Sequence, residues 1–266
     1  MKQFILNKEP LNGFVQFKGD DFRYLVRVRR LAVGECFPAL LPNGEETLVQ
    51  VVSIEGNVLT GKCVSDSLNP SSSPARLCEK SSELTPPIIL FQAMPKGDKM
   101  DLILRQAAEG GITEIVPFIS EFSIGKANVG VQKYSRWERI IKEARQQSGS
   151  KIATTLGECL TINELFEYWQ KLKTDENALG LLFHHQKGLE QKSLHEYLNS
   201  VPKTVVLVIG PEGGFSDKEV LLFMENGFKP LTVGNTILRT ETAALYCAAA
   251  VRILLLEKNS WELKKT

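Results

Sequence analysis

The residues best suited to chemistry form a glycine-rich loop, Gly210–Gly214, directly after the apolar and mainly β-branched run Val205–Ile209. Adjacent glycines allow positive φ angles or a close approach of the backbone to a ligand. Ser216 and Glu219 then have the spacing of a helix capping box. Open α/β sheets bind ligands at the carboxyl ends of their strands. On pattern alone, a ligand loop and a tight strand-to-helix turn are about equally favoured, and the spacing matches neither GxGxxG nor a P-loop.

A second segment, Leu231–Ala244, has the pattern of a strand, a glycine-containing loop and a helix start. Arg239 and Glu241 fall at the predicted helix N-terminus. Taken alone, they are better explained as a salt-bridge partner and as a charge that suits the helix dipole. Two glycine-bearing loops that close sequential parallel strands favour a shared site. The helix that follows, from Thr240 to about Glu257, is apolar on nearly every face, which predicts burial all round or a partner subunit.

The bulk composition, with 43% hydrophobic and 24% charged residues, is that of an ordinary globular protein. Because the net charge is only +1, we expect any contact with RNA phosphates to come from local basic patches. One candidate patch is Arg23, Arg27, Arg29 and Arg30, although a solvated charged face is nearly as plausible; the other is Lys96, Lys99, Arg105, Lys142 and Arg145.

The scattered cysteines lack CxxC spacing, so we expect no metal site and a reducing compartment. We see neither a signal peptide nor a membrane span and expect a cytoplasmic protein.

The chain divides at a Ser- and Pro-rich stretch, residues 67–87, which we interpret as a linker. Before it, short β-type runs separated by turn signals predict a small β-barrel-like domain over residues 1–75, with a helix near Asp20–Arg27. After it, apolar runs alternate with helical spacing, which predicts an α/β domain with a parallel sheet over residues 76–266. The predicted strands there are Ile88–Ala93, Ile112–Phe118, Leu179–Phe183, Val205–Ile209 and Leu231–Val233. The strongest helical spacing lies in Trp137–Ala144 and in Ile162–Trp169, the second after a Thr161/Glu164 capping box.

GPEGGFS at 210–216 and LRTETAA at 238–244 resemble the two C-terminal signatures of the RsmE-type 16S ribosomal RNA uridine-N3 methyltransferases, in the SPOUT superfamily. The resemblance covers the whole chain. Lys96–Met100 is similar to a Lys-Gly-Asp-Arg/Lys-Met element, Glu143–Ser148 to a Glu-Ala-x-x-Gln-Ser segment, and Tyr24–Glu35 to the start of a PUA-like RNA-binding domain.

This resemblance implies a PUA-like N-terminal barrel and a C-terminal domain with a trefoil knot, an exception to the general absence of knots. It implies a homodimer that binds S-adenosylmethionine and methylates N3 of a uridine in the decoding region of 16S rRNA, on the small ribosomal subunit. The implied cofactor residues are Ile209, Gly210, Pro211, Glu212, Gly213, Gly214, Val233, Gly234, Ile237, Leu238, Thr242 and Ala243. The implied RNA-binding residues are Arg23, Arg27, Arg29, Arg30, Lys96, Lys99 and Arg145.

The implied catalytic residues are Arg239, which would stabilise a developing uridine anion or grip a phosphate, and Glu241, a candidate base with an equally plausible helix-terminus role. His184 and His185 follow a predicted strand, but no partner motif accompanies them, so we favour loop histidines.

The chain departs from the family pattern at three places. The family's Ser-Glu-Arg-Ser corresponds to Ser120-Glu121-Phe122-Ser123 in this chain, so phenylalanine replaces the arginine. The family's Lys-Ala-Thr-Glu-Leu-Gly corresponds to a segment that begins with Gln106, so glutamine replaces the lysine. Ser150 stands where the family usually has a basic residue. Each departure removes a cation from the expected RNA side. An RNA-binding protein of the same fold with weakened catalysis therefore stays an alternative, and the absence of GxGxxG and GxxxxGKS counts against an ordinary nucleotide enzyme.

Overall fold

The structure is a computed structural model, and it describes residues 4–64, 85–124, 129–174, 177–185 and 189–262. These residues separate into two compact units. The first comprises residues 4–64 with Arg145–Ala153, and the second comprises the remainder. Most of the stretch interpreted as a linker lies outside the described residues. Within the described part of the chain, no helix is long and apolar enough to cross a membrane.

The first unit contains a five-stranded sheet in the order β1-β3-β4-β5-β2. The first strand pairs with β3 in parallel and the other pairs are antiparallel. Gly44 (φ 92°) and Gly56 (φ 56°) take left-handed backbone conformations in the two hairpin turns. The strands are β1 (Phe4–Ile5), β2 (Phe14–Phe17), β3 (Cys36–Leu40), β4 (Glu46–Glu55) and β5 (Val58–Val64).

The helix expected near Asp20–Arg27 is divided into two parts. A single α-helical turn, α1 (Gly19–Phe22), continues as a π-helix over Arg23–Val28. Phe22 and Leu25 lie on its buried side, where they join the aromatic core of the sheet. Sequence spacing indicated a helix here but not its wider hydrogen-bonding pattern.

The second unit contains a parallel sheet in the order β12-β10-β11-β6-β7-β8, with β9 also paired to β7. Successive residues of β6 face opposite sides: Ile88 and Leu90 join one apolar core, and Ile89 and Phe91 join the other. The sheet is therefore covered on both faces, as the α/β pattern predicts. The strands are β6 (Ile88–Ala93), β7 (Glu114–Ile119), β8 (Thr155–Leu156), β9 (Leu160–Thr161), β10 (Ala178–Phe183), β11 (Thr204–Ile209) and β12 (Lys229–Leu231).

Helices contribute to both cores. In the second unit, side chains of α2, α3 and α7 join the core that contains Ile88 and Leu90. Side chains of α4 and α6 join the core on the other face of the sheet, which contains Ile89 and Phe91. Both predicted capping boxes are confirmed: Thr161 with Glu164 begins α4, and Ser216 with Glu219 begins α6. The helices are α2 (Lys99–Glu109), α3 (Val131–Ser148), α4 (Ile162–Lys173), α5 (Leu194–Tyr197), α6 (Asp217–Glu225) and α7 (Thr240–Glu262).

Three predicted elements need correction. The strand predicted over Ile112–Phe118 begins at Glu114 and ends at Ile119. The last strand ends at Leu231, not Val233, because the Thr232 N–H leaves the sheet and donates to the Gln191 side chain (2.7 Å). Helix α7 is not buried all round. Ala244, Cys247 and Val251 are buried, whereas other apolar side chains of α7 are exposed. The exposed ones are Leu245, Tyr246, Ile253 and Leu256.

Candidate functional site

The carboxyl ends of the adjacent strands β10, β11 and β12 open into a cleft of about 600 Å³ in the second unit. This is the expected ligand position in an open α/β sheet, and the volume is in the usual range for ligand pockets. The cleft is lined by Phe183, His184, His185, Ile209, Gly210, Pro211, Glu212, Gly213, Gly214, Phe215, Asp217, Leu231, Thr232, Val233, Thr236, Ile237, Leu238, Arg239, Thr240, Ala243 and Cys247.

The structure brings the two glycine-bearing segments together in this cleft. Of the residues predicted to bind a cofactor, all but Gly234 and Thr242 are among its lining residues, and so is Arg239. Ile237 is 78% exposed despite its large apolar side chain. Because Ile237 lines the cleft, its side chain offers apolar surface to a ligand.

The glycine loop has little room for side chains at its base. A Cβ at Gly210 would lie 3.2 Å from a ring carbon of Phe215 and 3.3 Å from the Gly214 Cα. Gly214 has φ +70° and donates its N–H to the Pro211 carbonyl (3.0 Å). The backbone of this loop therefore lies open to the cleft, which favours recognition of a ligand by main-chain groups.

A buried hydrogen-bond chain joins β6, the glycine loop and α7. The Thr240 hydroxyl donates to the Gly210 carbonyl (2.7 Å) and accepts from Gln92 Nε2 (3.0 Å). The same amide nitrogen of Gln92 donates to the Ala93 carbonyl (2.9 Å). Gln92 and Thr240 are buried, so these bonds are shielded from water and fix the start of α7 against the loop.

Glu212 links the glycine loop to the Lys96–Met100 element. Its carboxylate accepts the Lys96 backbone N–H (3.1 and 3.2 Å to the two oxygens) and a hydrogen bond from Lys99 Nζ (2.7 Å). Lys99 Nζ also lies 3.7 Å from Glu241 Oε2. The lysine is thus held between two carboxylates, and three segments that are far apart in the sequence form one charged cluster.

This cluster shifts the titration of its members. The hydrogen bond to Glu212 raises the pKa of Lys99. Partial burial by itself acts to raise the pKa of Glu212, but hydrogen bonds from Lys99 and backbone N–H groups outweigh it and hold that pKa below its ordinary value. Both groups are therefore charged at neutral pH.

Arg239 and Glu241, the predicted catalytic pair, differ in their surroundings. Arg239 is exposed at the cleft, where its guanidinium is available to a substrate. Glu241 is not among the described residues that line the cleft. Its side chain is 13% exposed, and its Oε2 has no hydrogen-bond partner within the described residues. The geometry makes Glu241 a partner of Lys99 and leaves Arg239 facing the ligand space.

Some of the predicted RNA-binding residues are exposed to solvent, and others are buried or contact other groups of the protein. Arg23, Arg27, Arg30 and Lys96 are exposed, and Arg29 is half-buried with its guanidinium 5.8 Å from the Phe37 ring centre. Arg145 is 7% exposed, and burial lowers the pKa of its guanidinium. Lys99 is engaged by the carboxylates described above.

Sequence reasoning missed several residues of the site. Gln92 and Thr240 were not singled out, although a polar glutamine within an apolar strand is a signal for a buried hydrogen bond. His184 and His185, interpreted as loop histidines, line the cleft, and the His184 ring centre lies 6.3 Å from that of Phe215. Across the described ranges, no group of three or more His, Cys, Asp or Glu residues is arranged to hold a metal ion.

Comparison with known proteins gives the family. A model of the RNA methyltransferase domain matches residues 82–252. The chain is 30% identical over 263 residues to ribosomal RNA small subunit methyltransferase E 2 of Borreliella burgdorferi, covering 97% of this chain and 100% of that one. The chain belongs to the ribosomal RNA small subunit methyltransferase E family.

Other members of this methyltransferase family agree in sequence and in fold. The Synechocystis ribosomal RNA small subunit methyltransferase E is 31% identical over 234 residues, which cover 87% of this chain and 70% of the relative. The Neisseria gonorrhoeae ribosomal RNA small subunit methyltransferase E, whose crystal structure has S-adenosylmethionine bound, is 25% identical. It superimposes with a TM-score of 0.75 over 96% of this chain and 98% of its own.

Proposed function

We propose that the chain methylates N3 of a uridine in the decoding region of 16S rRNA, on the small ribosomal subunit in the cytoplasm. S-adenosylmethionine bound in the cleft would be the methyl donor. The observation that carries the proposal is the cleft itself, because residues of both segments that resemble the family signatures, 210–216 and 238–244, line one ligand space. Membership of the family supports methylation of ribosomal RNA in general. That the methylated atom is N3 of a uridine is the part of the proposal that goes beyond family membership.

The residues of the cleft fit S-adenosylmethionine. The open glycine backbone suits the polar groups of a nucleoside and an amino acid, while Ile209, Val233, Ile237 and Leu238 offer apolar surface to an adenine ring. A Cβ at Gly210 would make tight contacts with Phe215 and Gly214, at 3.2 and 3.3 Å, so the loop leaves little space there for a side chain. When bound, S-adenosylmethionine supplies an electrophilic methyl group on a sulfonium.

The part of the protein in this reaction is positioning and charge stabilisation. The N3–H proton of uridine must leave before or as the new carbon–nitrogen bond forms, so negative charge develops on the base. Arg239, exposed at the cleft, is available to stabilise that charge or to hold an adjacent phosphate. Holding base and methyl group in line supplies much of the acceleration, and a base taken from a stacked RNA must first be unstacked.

Glu241 has a different role in this proposal. Its proximity to Lys99 and its absence from the described lining of the cleft favour an electrostatic contact that keeps Lys99 beside Glu212. We therefore assign methyl-transfer chemistry to Arg239, with Thr240 and Glu241 fixing the start of the helix that carries it.

We also propose the domain organisation implied by the resemblance. Residues 1–75 would be a PUA-like RNA-binding domain, in which the exposed Arg23, Arg27 and Arg30 contact phosphates. Residues 76–266 would be the SPOUT methyltransferase domain, with its last segments threaded into a trefoil knot.

A homodimer is supported by the exposed apolar side of α7. Leu245, Ile253 and Leu256 line an apolar groove of about 170 Å³ between α2 and α7, and Tyr246 beside them is 54% exposed. Apolar surface of this kind marks subunit contacts. Sedimentation is expected to give a dimer for the native chain and a monomer for Ile253→Lys, while Val201→Lys, on an exposed loop of the same unit, stays dimeric.

Calorimetry with S-adenosylmethionine tests the proposed function. We expect binding by the native chain and at least about tenfold weaker binding by Ile237→Asp, which places a charge on the apolar wall. Val201→Asp is the matched control, because Val201 is also exposed (46%) but lies outside the cleft lining, and its affinity should be unchanged. A well-folded native chain without detectable binding would contradict the proposal.

A further inference from the structure

The turn after β7 holds an aromatic side chain in a fixed position. Ser120 N–H donates to Ser123 Oγ (3.2 Å), and Ser123 N–H donates back to the Ser120 carbonyl (3.0 Å). Glu121 N–H donates to Oε1 of Glu219, the capping residue of α6 (2.8 Å). Phe122, between these anchored residues, is 45% exposed. The turn is thus fixed to the unit while its phenylalanine ring meets solvent.

Phe122 lies against the glycine loop of the cleft. A Cβ at Gly213 would lie 2.9 Å from Phe122 Cβ and 3.3 Å from its Cγ, so the two residues are in close contact. Gly213 itself lines the cleft. An aromatic side chain is therefore positioned beside the ligand space, with nearly half of its surface open.

We infer that Phe122 stacks on a base of the substrate RNA beside the cleft, an inference that rests on the proposed function. Proteins that bind unpaired RNA use aromatic side chains as stacking surfaces. Such a contact needs no charge, which suits a chain of net charge +1 in which Lys99 and Arg145 are already engaged or buried. Phe122 also stands where the family pattern has arginine, so stacking would replace a cationic contact.

Equilibrium binding of an unmodified 16S rRNA transcript, with S-adenosylhomocysteine present to prevent turnover, tests this inference. Phe122→Leu keeps an apolar side chain but removes the aromatic face, and it is expected to weaken binding by about 5- to 150-fold. Phe122→Trp keeps the face and should bind at least as tightly as the native chain. Ile124→Ala, at an exposed neighbouring position, is the matched control and should bind normally.

Salt dependence separates stacking from ionic contact. Phe122→Leu should keep the native slope of log affinity against log salt, because it removes no cation. Phe122→Arg should bind with a slope steeper by about one, since it adds one phosphate-directed charge. A shallower slope in Phe122→Leu would overturn the inference.

Other outcomes also decide against stacking. Native affinity in Phe122→Leu would refute it, and so would a shift of that variant from dimer to monomer with native RNA affinity, which would make Phe122 a subunit contact. Calorimetry with S-adenosylmethionine keeps the two proposals apart. If the native chain binds the donor and methylates RNA while Phe122→Leu behaves normally, only the stacking inference fails. If the native chain does neither, the proposed function fails.

Discussion

Removing the Thr240 hydroxyl tests the hydrogen-bond chain at the base of the cleft. Thr240→Val keeps the branched shape of the side chain and deletes only the group that donates to Gly210 and accepts from Gln92. Threonine and valine have similar helix propensities, so the start of α7 is otherwise little affected. Any loss of stability then reports mainly on the two hydrogen bonds.

The magnitude follows from burial. Thr240 is 4% exposed and Gln92 is fully buried, so water has little access to the position that the hydroxyl leaves, although the bond to the Gly210 carbonyl is only partly buried. A buried polar group left unsatisfied costs about 1–3 kcal/mol. Gln92 keeps its bond to the Ala93 carbonyl, so the main loss is at the Gly210 carbonyl. We expect Thr240→Val to lower the free energy of unfolding of this unit by about 1–3 kcal/mol.

Urea unfolding followed by tryptophan fluorescence is a suitable assay, because Trp137 and Trp169 are buried in the same unit. The matched control is Thr242→Val, two residues along the same helix at an exposed position, which should change stability by less than about 0.5 kcal/mol. Thr240→Val should also bind S-adenosylmethionine more weakly, since the glycine loop loses its anchor. Equal unfolding midpoints for the two variants would refute the reasoning.

Three further predictions follow from the site. Because Lys99 holds the pKa of Glu212 low, Glu212 stabilises the fold above its ordinary pKa, and this contribution is lost as pH falls through the folded-state pKa. The melting temperature of Lys99→Met should therefore fall less than that of the native chain as pH drops from about 6 to about 3, a range that extends well below the ordinary pKa of a glutamate, and an equal fall would argue against the pairing. Gly213→Ala places a Cβ 2.9 Å from Phe122 Cβ on the turn after β7, so calorimetry should detect weaker S-adenosylmethionine binding, and unchanged affinity would contradict this close contact. Burial raises the pKa of Cys247 to about 12, so a thiol reagent at about pH 8 should modify the exposed Cys36 quickly and Cys247 only after unfolding, and equal rates would contradict this burial.

Elements defined by local chemistry were predictable from the sequence. The capping boxes at Thr161 and Ser216 depend on residues three apart, and both occur as expected. The strand Val205–Ile209 was recognisable from its uninterrupted apolar run, which suits a strand covered on both faces. Helix α2 was also within reach, because Met100, Ile103 and Ala107 have helical spacing, but it was not assigned.

Contacts that depend on strand order were not predictable. Lys99 and Glu212 are 113 residues apart, and Gln92 and Thr240 are 148 apart. Lys99 and Glu212 meet because β6 pairs with β11, so that the loops after both strands share one edge of the sheet. Gln92 meets Thr240 because α7 begins beside the loop that follows β11. The sequence placed Lys99 in a basic patch because it cannot show which carboxylates lie opposite. The sequence left open whether α7 is buried all round or meets a partner subunit, because burial depends on which neighbour each helix face meets.

The most direct test of the account is nucleoside mass spectrometry of 16S rRNA. Small ribosomal subunits from a strain that lacks the gene would be incubated with the purified chain and S-adenosylmethionine, then digested and compared with authentic methyluridines. We expect a single new N3-methyluridine in the decoding region with the native chain, and greatly reduced product with Arg239→Ala at near-normal donor affinity. A methyl group on another base or ring position, or none in the presence of bound donor, would contradict the account.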